Sequence, residues 1–233
     1  MFFRKKFDFE KFYKKISKAD DFDFKPYMDF EEELIEEYGR CKRWNSSMKL
    51  LVIADTHGGV AEEDFAELIK ENPSYDLCVM LGDHTSDDIE KILRYVPKDK
   101  IVGVLGNHDS FDLYEKYGIK DINGKVIDVN GIRIAGIQGS FRYKDEEAPL
   151  FTQKESIDFV MDMPEADILI SHERAFNKDY TNIAHAGLAG ILYYIYKSRI
   201  AVHIFGHYHM NKEKMLENGT KEICSYMYKI LEI

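Results

Sequence analysis

The sequence predicts an α/β fold: two packed mixed β-sheets flanked by helices, a four-layer αββα sandwich. Two observations carry that expectation. From Met48 to about residue 105, short apolar runs alternate with helical patterns in a strand–helix–strand–helix–strand rhythm, the mark of parallel strands with crossover helices. Further on, strand-like runs flank Asn-Gly dipeptides, the strongest short hairpin signal, so antiparallel pairs are expected as well. Two sheets face to face, with helices outside, accommodate this many strands of both kinds.

In order along the chain, "MKLLVIAD" reads as a buried strand, residues 62–70 as a helix and "YDLCVML" as a second strand. "SDDIEKILRYV" follows as a helix and "KIVGVL" as a third strand. "GKVIDVNGIRIAGIQGS" supplies two strands joined at Asn130-Gly131. A helix is expected near residues 153–161, a strand at "ADILIS", a helix over about residues 182–197 and a strand at "IAVHIF". The tail, "EKMLENGTKEICSYMYKILEI", alternates around Asn218-Gly219 and reads as antiparallel strands.

Residues 1–47 have a different character from 48–233 and read as a helical extension to that domain. Lys and Arg dominate up to Lys18, and acids take over between residues 20 and 37. Phe9, Phe12 and Ile16 share one helical face, as do Phe30, Leu34 and Tyr38, so two short helices packed on the main domain are expected. The competing reading is a basic amphipathic segment for a membrane surface or a partner; the downstream acids weaken attraction to anionic lipid.

The formal net charge of −10 disfavours extended nucleic-acid binding, though it leaves room for a small local basic patch. Cys41, Cys78 and Cys224 are odd in number, far apart and without metal-ligand spacing; they read as free thiols of a reducing compartment. No apolar run is long enough to cross a membrane, and the start has no apolar signal core. A cytoplasmic location is the resulting expectation. Nothing in the pattern sets an oligomeric state.

The chemistry lies at the strand ends. After "LLVIA" come Asp55, Thr56 and His57; after "LCVML" come Gly82, Asp83 and His84; after "IVGVL" come Gly106, Asn107, His108 and Asp109. After "DILI" come Ser171 and His172, and after "VHIF" come Gly206, His207, Tyr208 and His209. Burying such side chains is costly unless something pairs with them. Ligands of open α/β sheets bind at the carboxyl ends of strands, where all of these fall. Glycine beside three of the ends is expected to let the backbone turn sharply. Apart from His84, His108 and Asp109, the set holds two Asp, one Asn and four His, a mixture suited to Mn, Fe, Ni or Zn. Seven ligands are too many for one tetrahedral ion and enough for two ions sharing a carboxylate.

The ordered series D-x-H, G-D, G-N-H-D, H and G-H-x-H resembles the calcineurin-like metallophosphoesterase superfamily. All five blocks occur between Asp55 and His209, and the extension lies outside them. The resemblance implies two divalent ions, manganese foremost, with Fe, Ni or Zn as alternatives. It implies that Asp55, His57 and His209 hold the first ion, that Asn107, His172 and His207 hold the second, and that Asp83 bridges them. It implies attack on phosphorus by a hydroxide shared between the ions, with His108 as general acid and Asp109 orienting its imidazole. The implied substrate is a small phosphoester or nucleotide, a phosphodiester ahead of a phosphomonoester. Protein serine/threonine phosphatases carry an Arg in G-D-x-x-D-R, absent from "GDHTSDDIE", and end the third motif in Glu rather than Asp109, which argues against a phosphoprotein. "SHERAF" also lacks the prolines common in small bacterial phosphodiesterases of the family. Two alternatives remain: a nuclease, which the acidic balance disfavours, and a scaffold such as the retromer subunit of this fold, which the complete ligand set disfavours.

Other residues have blander readings. His84 is expected behind the ligands or in an exposed turn, His203 as a hydrogen-bonded sheet histidine and His185 near the site mouth. Arg142 and Tyr143 fall on another strand-end loop, where Arg142 reads first as a solvated arginine and second as a phosphate contact.

Overall fold

The computed structural model describes residues 7–233. Two helices come first, α1 (Phe9–Ile16) and α2 (Phe30–Tyr38). The expected crossover unit follows: β1 (Lys49–Ala54), α3 (Glu62–Glu71), β2 (Leu77–Met80), α4 (Ser86–Ile92) and β3 (Ile101–Gly103). A short helix α5 (Leu113–Tyr117) leads to β4 (Lys120–Asp121), then to β5 (Val126–Val129) and β6 (Ile132–Ile137). Next come β7 (Ser140–Phe141), β8 (Leu150–Phe151), α6 (Gln153–Val160), β9 (Ile168–Ser171), α7 (Ala189–Ser198) and β10 (Val202–Phe205). The last strands are β11 (Lys212–Met215), β12 (Lys221–Cys224) and β13 (Met227–Glu232).

One sheet has the order β13-β1-β2-β3-β4 and the other β11-β12-β10-β9-β6-β5, while β7 and β8 pair apart. The first sheet is parallel except for β13, which runs antiparallel to β1. The second has a parallel centre, β12-β10-β9-β6, between antiparallel edges β11 and β5. The pleat explains the layering. Leu50, Val52 and Ala54 face the second sheet, meeting Ile134, Ile168 and Ile204, whereas Leu51 and Ile53 face Phe65, Ile89 and Ile92 of α3 and α4. Strands buried on both faces read as continuous apolar runs, as "KLLVIA" does. On the outer side of the second sheet, Ile137 and Leu169 meet Ile157 of α6 and Leu192 and Ile195 of α7. The result is the expected order of helix, sheet, sheet, helix.

Helices α1 and α2 cover α7. Each is too short to persist alone, so packing holds them. Phe12, Ile16, Phe30 and Leu34 are buried in the same cluster as α7. Phe12 and Phe30 stack at 4.3 Å with ring planes 9° apart, and Phe9 stacks on Tyr193 at 5.1 Å. Each fully buried Phe contributes about 1.5–3 kcal/mol. Glu31 accepts a 2.7 Å hydrogen bond from the Tyr196 hydroxyl, and Lys178 pairs with Glu32.

Two expectations change. The helix expected over 182–197 is a 3-10 turn at Ile183–His185 followed by α7 from Ala189. Gly187 interrupts it at φ +80°, packed so that a Cβ would sit 2.3 Å from the Ala175 carbonyl. The tail does form the β11–β12 hairpin around Asn218-Gly219, but β12 lies parallel to β10, and β13 leaves for the other sheet. Met227, at φ +62°, begins that departing strand. The other Asn-Gly pair behaves as expected: Asn130 and Gly131 both have positive φ, +55° and +83°, as a two-residue hairpin demands.

Candidate metal centre

Parallel pairing sends the carboxyl ends of β1, β2 and β3 to one edge of their sheet, and β9 and β10 do the same in theirs. The loops that follow are tied together by buried carboxylates accepting from backbone N–H groups. Asp55 takes the His207 N–H on both oxygens, at 3.0 and 2.8 Å. Asp83 Oδ1 takes the His108 N–H at 2.8 Å. Asp109 takes three: Gly106 at 2.7 Å and Asp83 at 2.8 Å on Oδ2, and His84 at 2.8 Å on Oδ1. Asp88 takes Gly58 at 2.6 Å and Val60 at 3.0 Å, plus the Thr56 hydroxyl at 2.8 Å.

This bracing holds unusual backbone. Asp55, His57, Asp83, His207 and His209 all have left-handed φ, between +45° and +68°. Such conformations cost about 1–3 kcal/mol each and persist where the surroundings enforce them, commonly at functional sites. The glycines act partly by a different route from the one expected. Gly82 does turn, at φ +93°. Gly106 and Gly206 instead make room: a Cβ on Gly106 would lie 2.1 Å from Asp83 Oδ1, and one on Gly206 2.4 Å from Asp55 Oδ2.

Six of the seven expected ligands form two clusters. The ligating atoms of Asp55, His57 and His209 lie within 4.8 Å of one another, and so do those of Asp83, His172 and His207. Asp83 Oδ2 reaches both, at 3.5 Å from His57 Nε2 and 3.6 Å from His172 Nε2. The seventh, Asn107, places Oδ1 2.9 Å from His172 Nε2.

The donor set fits a cation. His172 Nδ1 lies 2.7 Å from the Leu81 carbonyl, which can only accept, so Nδ1 carries the proton and Nε2 a lone pair. Burial also pushes the His172 pKa down to about 4, keeping the ring neutral. Asn107 Nδ2 donates to the Tyr143 hydroxyl at 3.3 Å, which turns the amide oxygen toward His172 Nε2. His207 Nε2 faces the Ala184 carbonyl at 3.2 Å, which leaves a lone pair on Nδ1, 3.2 Å from His172 Nε2. Three lone pairs thus converge beside the Asp83 carboxylate, an arrangement that repels itself unless a positive ion sits among them. Burial, with the Asp83 charge next, pushes the Asp55 carboxyl up to about 8.

The family model for calcineurin-like phosphoesterases matches residues 48–211. The chain belongs to the calcineurin-like phosphoesterase family. An uncharacterized protein of Haemophilus influenzae is 32% identical over 103 residues, which cover 40% of this chain and 43% of that relative. The chain therefore matches less than half the length of that curated relative. Among solved structures, TT1561 of Thermus thermophilus superposes with a TM-score of 0.54 at 14% identity, covering 78% of this chain and 90% of that one. A putative 5′-nucleotidase of Staphylococcus aureus gives 0.53 at 14% identity, covering 80% of this chain and 51% of its own. Phosphopantetheinyl hydrolase of Mycobacterium tuberculosis gives 0.51 at 12%, covering 77% and 89%. At these identities the likeness is one of fold.

Around these two clusters, the remaining expected residues fall as follows. His108 is exposed, its ring centroid 5.6 Å from that of His57. Asp109 is buried, and its hydrogen bonds describe a loop brace rather than an orienter of the His108 ring. His84 is buried behind the ligands, 2.9 Å from the Thr56 hydroxyl, so the exposed-turn alternative does not hold. His203 is bonded within the sheet, 2.7 Å from Ser171 Oγ and 3.0 Å from Glu222 Oε1. His185 packs edge-on against the His207 ring at 5.1 Å. Arg142 is held by Glu155 at 3.1 Å and donates to the Leu150 carbonyl at 3.1 Å.

Sequence reasoning missed Glu173 and Asp88. Glu173 is fully buried; Oε1 accepts from the Tyr208 hydroxyl at 2.8 Å, and Oε2 lies 3.6 Å from His207 Nε2. Its place directly after His172 was the available signal. Asp88 looks in sequence like a capping-box acid of α4, and it is one, with Thr85 as the cap. Its second task, bracing the loop after β1, involves contacts about 30 residues away in sequence.

Proposed function

We propose that this phosphoesterase uses two divalent ions and hydrolyses a small phosphoester or nucleotide, a phosphodiester ahead of a phosphomonoester, with His108 as general acid. The observation that carries the reading is Asp83 Oδ2, within 3.6 Å of a histidine from each cluster, where a bridging carboxylate belongs. When bound, two divalent ions supply Lewis acidity to the phosphate oxygens and lower the pKa of an attacking water.

The chain's own residues do the rest. Asn107 contributes a neutral oxygen, which limits the negative charge facing an anionic phosphate. Asp83 Oδ1 and Asp109 fix the loop that carries His108, whose exposed ring is free to give a proton to the leaving oxygen. The net charge of −10 favours a small substrate over a long polyanion. The donor mixture suits manganese first, with Fe, Ni or Zn as alternatives. We read residues 1–47 as an extension to a catalytic domain of 48–233. The three free cysteines support a reducing, cytoplasmic setting.

The test is hydrolysis of a chromogenic diester and a chromogenic monoester by metal-stripped protein, with Mn, Ni, Zn or Mg added back. Restoration by a transition metal, with the diester preferred, is the expected result. His108→Ala should lower kcat by about 10²–10⁴-fold and leave metal content unchanged. Loss of metal in step with loss of turnover would remove His108 from the acid role.

A further inference from the structure

At the other end of the second sheet lies a depression of about 650 Å³ that the phosphoesterase chemistry does not use. It opens where β10 begins, at Ala201 and Val202, while His207 follows the far end of that strand. Five residues of extended chain put it roughly 15 Å from the metal ligands.

Its lining is cationic in an acidic protein. The stretch "RCKRW", residues 40–44, is pinned across the sheet end: the Cys41 N–H donates to the Asn218 carbonyl and the Lys42 N–H to the Arg199 carbonyl, each at 2.9 Å. That brings Arg40 and Arg43 beside Arg199 and Lys221. Lys42 is already committed to Asp167 at 3.0 Å, and Lys221 to Glu213 at 2.9 Å. Among the described residues, Arg199 spends only Nε, on the Arg40 carbonyl at 2.8 Å. Among the described residues, the guanidinium groups of Arg40 and Arg43 have no acidic partner. Clustered like charges of this kind repel one another unless an anion joins them.

Trp44 borders the same depression, and its half-buried indole adds a flat apolar surface.

We propose that this depression is a second ligand site for a mononucleotide. Its phosphate would meet the Arg40, Arg43 and Arg199 guanidinium groups, planar forks matched to phosphate oxygens. Its base would lie against the face of the Trp44 indole. The volume falls in the range of small-ligand pockets. A nucleic-acid strand would have to continue over a surface whose overall charge repels it. The proposal is independent of the reaction at the metal ligands.

Trp44 is the chain's one tryptophan, so its fluorescence reports this site alone. Titration of the full chain with adenosine 5′-monophosphate should change Trp44 emission saturably. Arg40→Ala and Arg43→Ala, both at exposed positions, should each weaken binding about tenfold, the effect of one charge-assisted hydrogen bond. Inorganic phosphate alone and adenosine alone should also bind about tenfold more weakly than the nucleotide. His209→Ala, at the metal ligands, should leave the titration unaltered. No emission change up to millimolar nucleotide, an unchanged titration in both arginine variants, or loss of the signal in His209→Ala would overturn the proposal.

Discussion

Asp55, His57 and His209 form the outer of the two ligand clusters, and Asp83, His172 and His207 the inner. The His57 and His209 side chains are 38% and 50% exposed, against 0% for His172 and 8% for His207. Behind each inner histidine stands a carbonyl, Leu81 or Ala184, that fixes its ring and tautomer. Among the described residues no backbone carbonyl bonds the outer rings: their Nε2 atoms lie 3.2 Å apart, with Asp83 3.5 Å from His57, Asp55 3.7 Å from His209 and Tyr226 stacked on His209. The inner cluster is therefore organised before an ion arrives, and the outer one is adjustable. Preorganisation raises affinity by removing the ordering cost. In the proposed mechanism the inner ion is the resident one and the outer ion the exchangeable one.

The strongest way to break that asymmetry is Asp83→Ala, which removes the oxygen both clusters share. Elemental analysis should find neither ion retained, and turnover should drop by at least about 10³-fold, the upper range for losing a single electrostatic stabiliser. Retention of one tightly held ion would mean that Asp83 does not bridge. A paired substitution sharpens the contrast. His209→Ala should weaken only the looser of two calorimetric binding phases, whereas His172→Ala should abolish the tighter one. The reverse assignment would invert the comparison.

Acidity separates the clusters further. With its carboxyl pushed up to about 8, Asp55 in the ion-free protein holds a proton below that pH and must release it when the outer ion binds. Outer-ion affinity should therefore rise about tenfold per pH unit up to about pH 8 and then level off. Calorimetry in buffers of different ionisation enthalpy would count the released proton, and a flat profile from about pH 6 to 8 would refute the assignment. The smallest expected effect is Glu173→Gln, which keeps the shape and removes the charge 3.6 Å from His207. Inner-ion affinity should fall about tenfold while outer-ion affinity holds.

The grouping of these side chains was legible in the sequence because each candidate ligand sits close to a strand end. Each candidate ligand from Asp55 to His209 falls in the short loop after an apolar run, and parallel strands carry such residues to one edge whatever the rest of the chain does. Distant partners were not legible. Asp109 and Asp88 spend most of their hydrogen bonds on groups of other loops, and no spacing rule announces that. The break at Gly187 depends on the Ala175 carbonyl lying against it. The crossing of β13 between sheets begins at Met227, a residue type with no preference for a left-handed φ. Apolar alternation located the strands of the tail without saying which sheet each joins.

The left-handed turns at His57 and His209 have a consequence for anyone breeding the protein. Both positions are exposed, with φ of +45° and +48°, so the backbone there holds strain that half-solvated side chains do little to offset. Glycine at either position relaxes the turn. A laboratory selection for heat survival, run in medium stripped of transition metals, would reward that exchange and score the loss of a ligand as progress. Under the proposed function, metal in the growth medium would reverse the incentive, because a bound ion would hold the turn in place.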